Sequence, residues 1–158
     1  MSGRSPEDAL ERLGLELPTP NTPVGSYVMA TQAGPLLFVS GHGAFRDGSP
    51  VHLGRLGADL STTQGAAAAE VVMLNLLATV KARLGELSRV TRFLKVVVFV
   101  SSTPDFTEQH LVADGATNLL LRVFGDEAGR PARSAVGVAA LPLGFAVEIE
   151  AVLEVQRE

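Results

Sequence analysis

Arg133 and Glu148 are the residues whose type and setting most invite chemistry. Arg133 opens the apolar stretch Arg133-Ser134-Ala135-Val136, directly after a loop carrying Arg130-Pro131. A guanidinium at the start of a buried strand needs an anion, because an unpaired interior charge is expensive. That anion is either a carboxylate of the same protein or the carboxylate of a small ligand, which the planar fork grips through two parallel hydrogen bonds. Glu148 belongs to Val147-Glu148-Ile149-Glu150, where carboxylates interrupt a strand that otherwise reads apolar. If residues 142–145 formed the turn of a simple hairpin, Arg133 would pair with Glu154 and Glu148 would lie roughly 20 Å away along the sheet. Either the two are unrelated, or another strand order or another subunit brings them together.

Other familiar chemistries find no support. Ser40 and His42 stand two apart and share a strand face, as a nucleophile and its base could, but Val39-Ser40-Gly41-His42-Gly43 is not a nucleophile elbow and reads as a strand end entering a loop. His42, His52 and His110 lack the spacing of metal ligands, so no metal is assigned. No glycine-rich loop has the order that cradles nucleotide phosphates. With no cysteine, the chain has no disulfide, thiolate metal site or thiol nucleophile. Thirteen Lys and Arg against seventeen Asp and Glu give a net charge of −4, and one Tyr with seven Phe offers little for base stacking, so nucleic acid is an unfavoured partner. No uninterrupted apolar run has the length of a membrane span and no signal core follows the N-terminus, so a cytoplasmic protein is expected.

The elements that must position these groups follow from periodicity. Ser5 before Pro6, with Glu7 and Asp8, starts a short helix closing at Gly14. Pro18, Pro20, Pro23 and Gly25 then make a surface arm. Tyr27–Gln32 and Leu36–Ser40 read as strands parted by Gly34-Pro35, and 41–59 as a functional or connecting loop. Met73, Leu76, Leu77, Val80 and Leu84 share one face of a helix over 62–84, which Ser61, Thr62 or Thr63 can cap and Gly85 ends. Phe93–Ser101, apolar on both faces, is a central strand. Thr103 and Pro104 start a second helix running toward Gly125, in which Gly115 costs about 1 kcal/mol relative to alanine and marks a kink. Strands over 134–141 and 146–156 complete the order β-β-α-β-α-β-β.

That order implies an α+β domain: one mixed sheet with both helices on one face. The last strand then shows what lies opposite, because Val147, Ile149, Ala151, Leu153 and Val155 alternate with Glu148, Glu150, Val152 and Glu154. A face that mixes carboxylates with an apolar residue invites self-association. Residues 1–22 read as an N-terminal extension and 23–158 as the domain.

The segments Pro131-Ala132-Arg133-Ser134-Ala135-Val136, Leu141-Pro142, Val147-Glu148-Ile149-Glu150, Leu37-Phe38-Val39-Ser40-Gly41-His42 and Asn75-Leu76-Leu77-Ala78 together resemble the Rid (YjgF-type) family, in its longer branch described as endoribonuclease-like or chorismate-mutase-like. The resemblance runs from about Pro23 to the C-terminus. It implies a chorismate-mutase-like fold assembled as a homotrimer, with ligand clefts between subunits. It further implies hydrolysis of 2-imino or enamino acids to 2-oxo acids and ammonia without a cofactor, as in 2-iminobutanoate/2-iminopropanoate deaminases. Arg133 would hold the substrate carboxylate and Glu148 would position or activate water. Tyr27, Ser40 and Gly41 would line the pocket, and the backbone of Ala135 would contribute where relatives often carry cysteine. A pocket asparagine of the family falls at Gly115, Thr117 or Asn118, of which Thr117 is assigned to the substrate. His42 stands where glutamine is common. Two other functions compete: a trimeric module binding a small carboxylate without turnover, and the endoribonuclease or translation inhibitor of the customary name.

Overall fold

The computed structural model describes residues 5–157. Helix α1 spans Pro6–Arg12 and begins with a reciprocal capping box, the Ser5 hydroxyl accepting from the Asp8 amide and the Asp8 carboxylate from the Ser5 amide. It buries Ala9 and Leu10, and Leu10 belongs to the main core. The short strands and hairpin that follow are β1 (Ala30–Ala33), β2 (Leu36–His42), β3 (Phe45–Arg46) and β4 (Ser49–Pro50). The last two lie within what the sequence presents as a loop, in pairs too short to show a period.

Helix α2 (Thr62–Leu84) has the expected limits. Ser61 and Gln64 form a second capping box, and Gly85 ends the helix at φ 90°. Its length and hydropathy would let it cross a membrane, but Val72, Met73, Leu76, Leu77 and Val80 are fully buried against the sheet, as in the core helix of a globular domain. Strand β5 (Val90–Ser101) is followed by α3 (Gln109–Gly129), then β6 (Ala132–Val138) and β7 (Val147–Val155).

Two expectations about α3 are corrected. Thr103-Pro104 does not start it: the Phe106 amide donates to the Thr103 carbonyl, so Pro104 occupies the second position of a turn, where its fixed φ is equally at home. The helix then begins six residues after Thr103. Its regular part breaks at Gly125 as expected, at φ 77° and ψ 178°, and a further turn carries the chain to Gly129. Gly115 marks no kink, since the non-helical residue inside α3 is Gly125; the reason for Gly115 is a different one. A Cβ there would run into the backbone carbonyl of Ala66, so this glycine and the alanine run of α2 let the two helices touch backbone to backbone.

The sheet order is β1-β2-β7-β5-β6. Strands β5 and β6, joined through α3, are parallel, and β7 is antiparallel to both of its neighbours, β2 and β5. The last strand therefore enters the middle of the sheet instead of pairing with β6. The hairpin geometry is replaced by a register in which Val96 faces Arg133 on one side and Ala151 on the other, while Phe99 faces Glu148. Glu148 thus lies three residues along and two strands across from Arg133, roughly 14 Å away at the usual strand spacings. Val147, Ile149, Ala151, Leu153 and Val155 are buried beneath α2 and α3. Glu148, Glu150, Val152 and Glu154 point to the opposite face, which carries no helix and leaves Phe38 and Val136 exposed.

Candidate active site

Glu148 stands at one end of the open sheet face, in a concavity of about 260 Å³. Tyr27 and Met29, where the N-terminal arm enters β1, supply one wall. Phe45 supplies a second, and Pro142, Leu143 and Phe145 from the β6–β7 connection a third. The aromatic side is rigid, since Phe45 and Phe145 pack edge to face with centroids 5.2 Å apart. Burial against these apolar groups pushes the Glu148 carboxyl above its ordinary pKa, and the Glu150 charge two residues on the same face adds to the effect. A carboxyl so placed suits proton transfer near neutral pH better than an exposed one.

The floor is shaped by two glycines. A Cβ on Gly41 would overlap Glu148 Oε1, so Gly41 is what gives the carboxylate its seat. A Cβ on Gly43 would overlap the Phe145 ring. Tyr27, Gly41 and Glu148, expected to share a site from sequence, are thus brought together in one protomer.

Ser40 lies beside them but opens onto a neighbouring hollow with Phe38, Lys95, Val97 and Glu150. Its hydroxyl donates to the Val28 carbonyl at 2.7 Å, which ties the arm to β2. His42 makes no dyad with it. The imidazole is buried, with Nδ1 donating to the Ser40 carbonyl at 2.6 Å and Nε2 accepting from the Thr79 hydroxyl at 2.8 Å. Burial lowers its pKa, partly offset by the carbonyl, so the ring is a neutral pin between β2 and α2.

Arg133 and Thr117 lie elsewhere, on the helix-covered face at the β6 edge. Arg133 Nη1 donates to Asp114 Oδ1 at 2.7 Å and to Thr117 Oγ1 at 3.0 Å, and Nη2 donates to the His110 carbonyl at 3.2 Å. Ala135, two residues on, packs against the core from the same side. Arg133 and Glu148 therefore occupy opposite faces of one sheet, and within a protomer they do not meet. Sequence reasoning did not identify Asp114, although His110, Asp114 and Thr117 follow the i, i+4, i+7 spacing of one helical face. It also missed Met29, Phe45, Leu143 and Phe145, whose connecting segments carry no periodic signal. Among the described residues no group of three or more His, Asp or Glu side chains could hold a metal ion.

A five-stranded mixed sheet backed by two helices, with a lone carboxylate in an apolar concavity at the end of its bare face, defines the chorismate-mutase-like fold class. The family model described as YjgF/chorismate-mutase-like, putative endoribonuclease, matches residues 7–152. The chain is 48% identical over 145 residues to Protein TCP17 of Trypanosoma cruzi, covering 92% of this chain and 91% of that one. Among solved structures, Atu1372 of Agrobacterium tumefaciens, described as of unknown function, is 43% identical with a TM-score of 0.89 over 96% of this chain and 92% of that one. A putative endoribonuclease from Shewanella oneidensis MR-1 is 32% identical with a TM-score of 0.92, over 96% and 99%. The chain belongs to the YjgF/chorismate-mutase-like family, the Rid-type branch that its motifs resemble. The family match begins at residue 7, inside α1, in keeping with Leu10 lying in the common core.

Proposed function

We propose that the protein is a cytoplasmic, cofactor-independent hydrolase of small 2-imino acids, working at clefts between the subunits of a homotrimer. The observation that carries this reading is the Glu148 carboxyl, its pKa raised by burial in an apolar concavity that is open to a small ligand. A protonated imine is already electrophilic, so orientation and one proton-carrying group suffice. Water adds through oxygen to C2 of the iminium and gives its proton to Glu148. Glu148 returns that proton to the nitrogen of the resulting carbinolamine; the carbinolamine hydroxyl proton then passes to the Glu148 carboxylate as the carbon–nitrogen bond breaks, which leaves the 2-oxo acid, and the departing ammonia takes that proton from Glu148 and leaves as ammonium.

The substrate carboxylate needs a cation, and among the described residues the concavity of one protomer has no Lys or Arg in its wall. Arg133 faces the other side of its own sheet but sits on the edge strand β6. In a trimer that covers the bare face bearing Phe38, Val97, Val152 and Val136, the partner subunit's Arg133 would supply that charge. Sedimentation tests the assembly, with a trimer at micromolar concentration expected and a stable monomer opposing it. The chemistry is tested with 2-iminobutanoate generated in situ. Release of 2-oxobutanoate and ammonia should outpace spontaneous hydrolysis, and the excess should vanish in Arg133→Ala and fall in Glu148→Gln. A wild-type rate equal to that of buffer refutes the enzymatic reading.

A second reading keeps the same Arg133 contact without the proton chemistry at Glu148: a module that binds a small carboxylate and does not turn it over. Calorimetry separates the two, since a module binds a 2-oxo acid through Arg133 yet leaves imine hydrolysis at the buffer rate.

A further inference from the structure

The Asp114–Arg133 ion pair carries information about which anion could bind. A guanidinium has five donor protons. Among the described residues, the two on Nη1 are taken by Asp114 and Thr117, and one on Nη2 by the His110 carbonyl. Nε has no partner among these contacts, so the Nε side is the part of the guanidinium left to a ligand's carboxylate. The three partners sit one turn apart on α3 and fix the plane of the guanidinium. Thr117 serves as a neutral acceptor, its own hydroxyl donating to the Ala113 carbonyl. Asp114 differs, for it adds a full negative charge, and its side chain is 46% exposed against 25% for Arg133, so the charge stands at the solvent side of the pair.

We propose that Asp114 is the specificity-determining residue of the Arg133 anion site, restricting it to small monocarboxylates. The inference rests on the functional reading above, in which Arg133 receives the substrate carboxylate. Asp114 closes the Nη1 side, so a ligand has one edge to dock on and one positive charge already half compensated. A ligand with a second carboxylate gains no further cation here and adds a second negative charge to a site whose guanidinium is already paired with Asp114, where like charges repel.

Calorimetry on the full chain tests this with pyruvate as the monocarboxylate and 2-oxoglutarate as the dicarboxylate. Wild type should bind pyruvate at least tenfold tighter. Asp114→Asn, which keeps shape and folding, should bind pyruvate at least as well and shrink the preference by tenfold or more. Thr117→Val should weaken both ligands in proportion, because it removes a neutral contact. An unchanged ratio in Asp114→Asn overturns the proposal, as does a Thr117→Val ratio that shifts equally. Loss of both ligands in Asp114→Asn also overturns it, by making Asp114 a positioning residue for Arg133. Wild type binding neither ligand, or Arg133→Ala binding both unchanged, instead removes the functional reading beneath it.

Discussion

Gly41 offers the sharpest separation of folding from function. Its backbone is not in the left-handed region, so alanine is conformationally acceptable there, and what matters is the space. The new Cβ would lie 2.1 Å from Glu148 Oε1, far inside contact distance, with Cδ at 3.0 Å and Cγ at 3.3 Å. The obstructing atoms are the far end of a flexible side chain, so the backbone keeps its place and the carboxylate swings aside by roughly 1 Å or more to reach ordinary contact distance. Removing strand glycine entropy gains about 0.5–1 kcal/mol, against the overpacking strain of pushing the Glu148 side chain aside. Gly41→Ala should therefore unfold in urea within about 1 kcal/mol of wild type. Catalysis has no such compensation: a 1 Å misplacement of a reacting group costs about a hundredfold, or about 2.7 kcal/mol in the barrier. Imine hydrolysis at subsaturating substrate should fall accordingly while the melting curve barely moves. A rate within threefold of wild type would show that Glu148 is not the group that must be placed.

Gly43→Ala should do the reverse. Its Cβ would strike three atoms of the Phe145 ring, which is buried and packed against Phe45, so the cost appears as stability, about 1–3 kcal/mol by urea denaturation. Gly115→Ala, which intrinsic propensity would favour by about 1 kcal/mol, should instead destabilise by at least that amount, because the obstacle is the Ala66 carbonyl; a rise in melting temperature would refute the close helix contact. Glu148→Gln should raise the melting temperature at pH 7. The folded state holds this carboxyl above 4.5, so the unfolded chain loses its proton first and the native state is penalised as pH climbs past 4.5. The difference should close below that pH, and equal melting at both pH values would contradict the burial effect. His42 has the opposite profile. Its folded pKa lies below 6.5, so stability is full above 6.5 and declines as pH falls beneath it, a slope that His42→Gln should flatten.

How far the sequence reached is decided by which features are local. Helix α2 was legible to the residue because capping, an alanine run, one apolar face and a closing glycine all act within a few residues. Strand β5 was legible as central because both its faces are apolar, and β7 because its alternation is regular. Thr103-Pro104 misled because proline's fixed φ serves a turn as well as a first helical turn, and nothing nearby decides between them. Strand order was beyond local reading. Inserting β7 between β2 and β5 is a choice of the whole sheet, and it is this insertion that sets Glu148 and Arg133 about three residues and two strands apart. The face on which each points then follows from the period of two: Glu148 alternates with the buried Val147 and Ile149, whereas Arg133 is held by α3. A carboxylate and a guanidinium on opposite sides of one sheet cannot act on one small ligand within a chain. If both serve the same reaction, the bare face must be covered by another copy that brings its β6 edge to the Glu148 concavity. The residues chosen for chemistry and the unsatisfied sheet face thus impose one requirement, and a monomeric enzyme with full activity would contradict both at once.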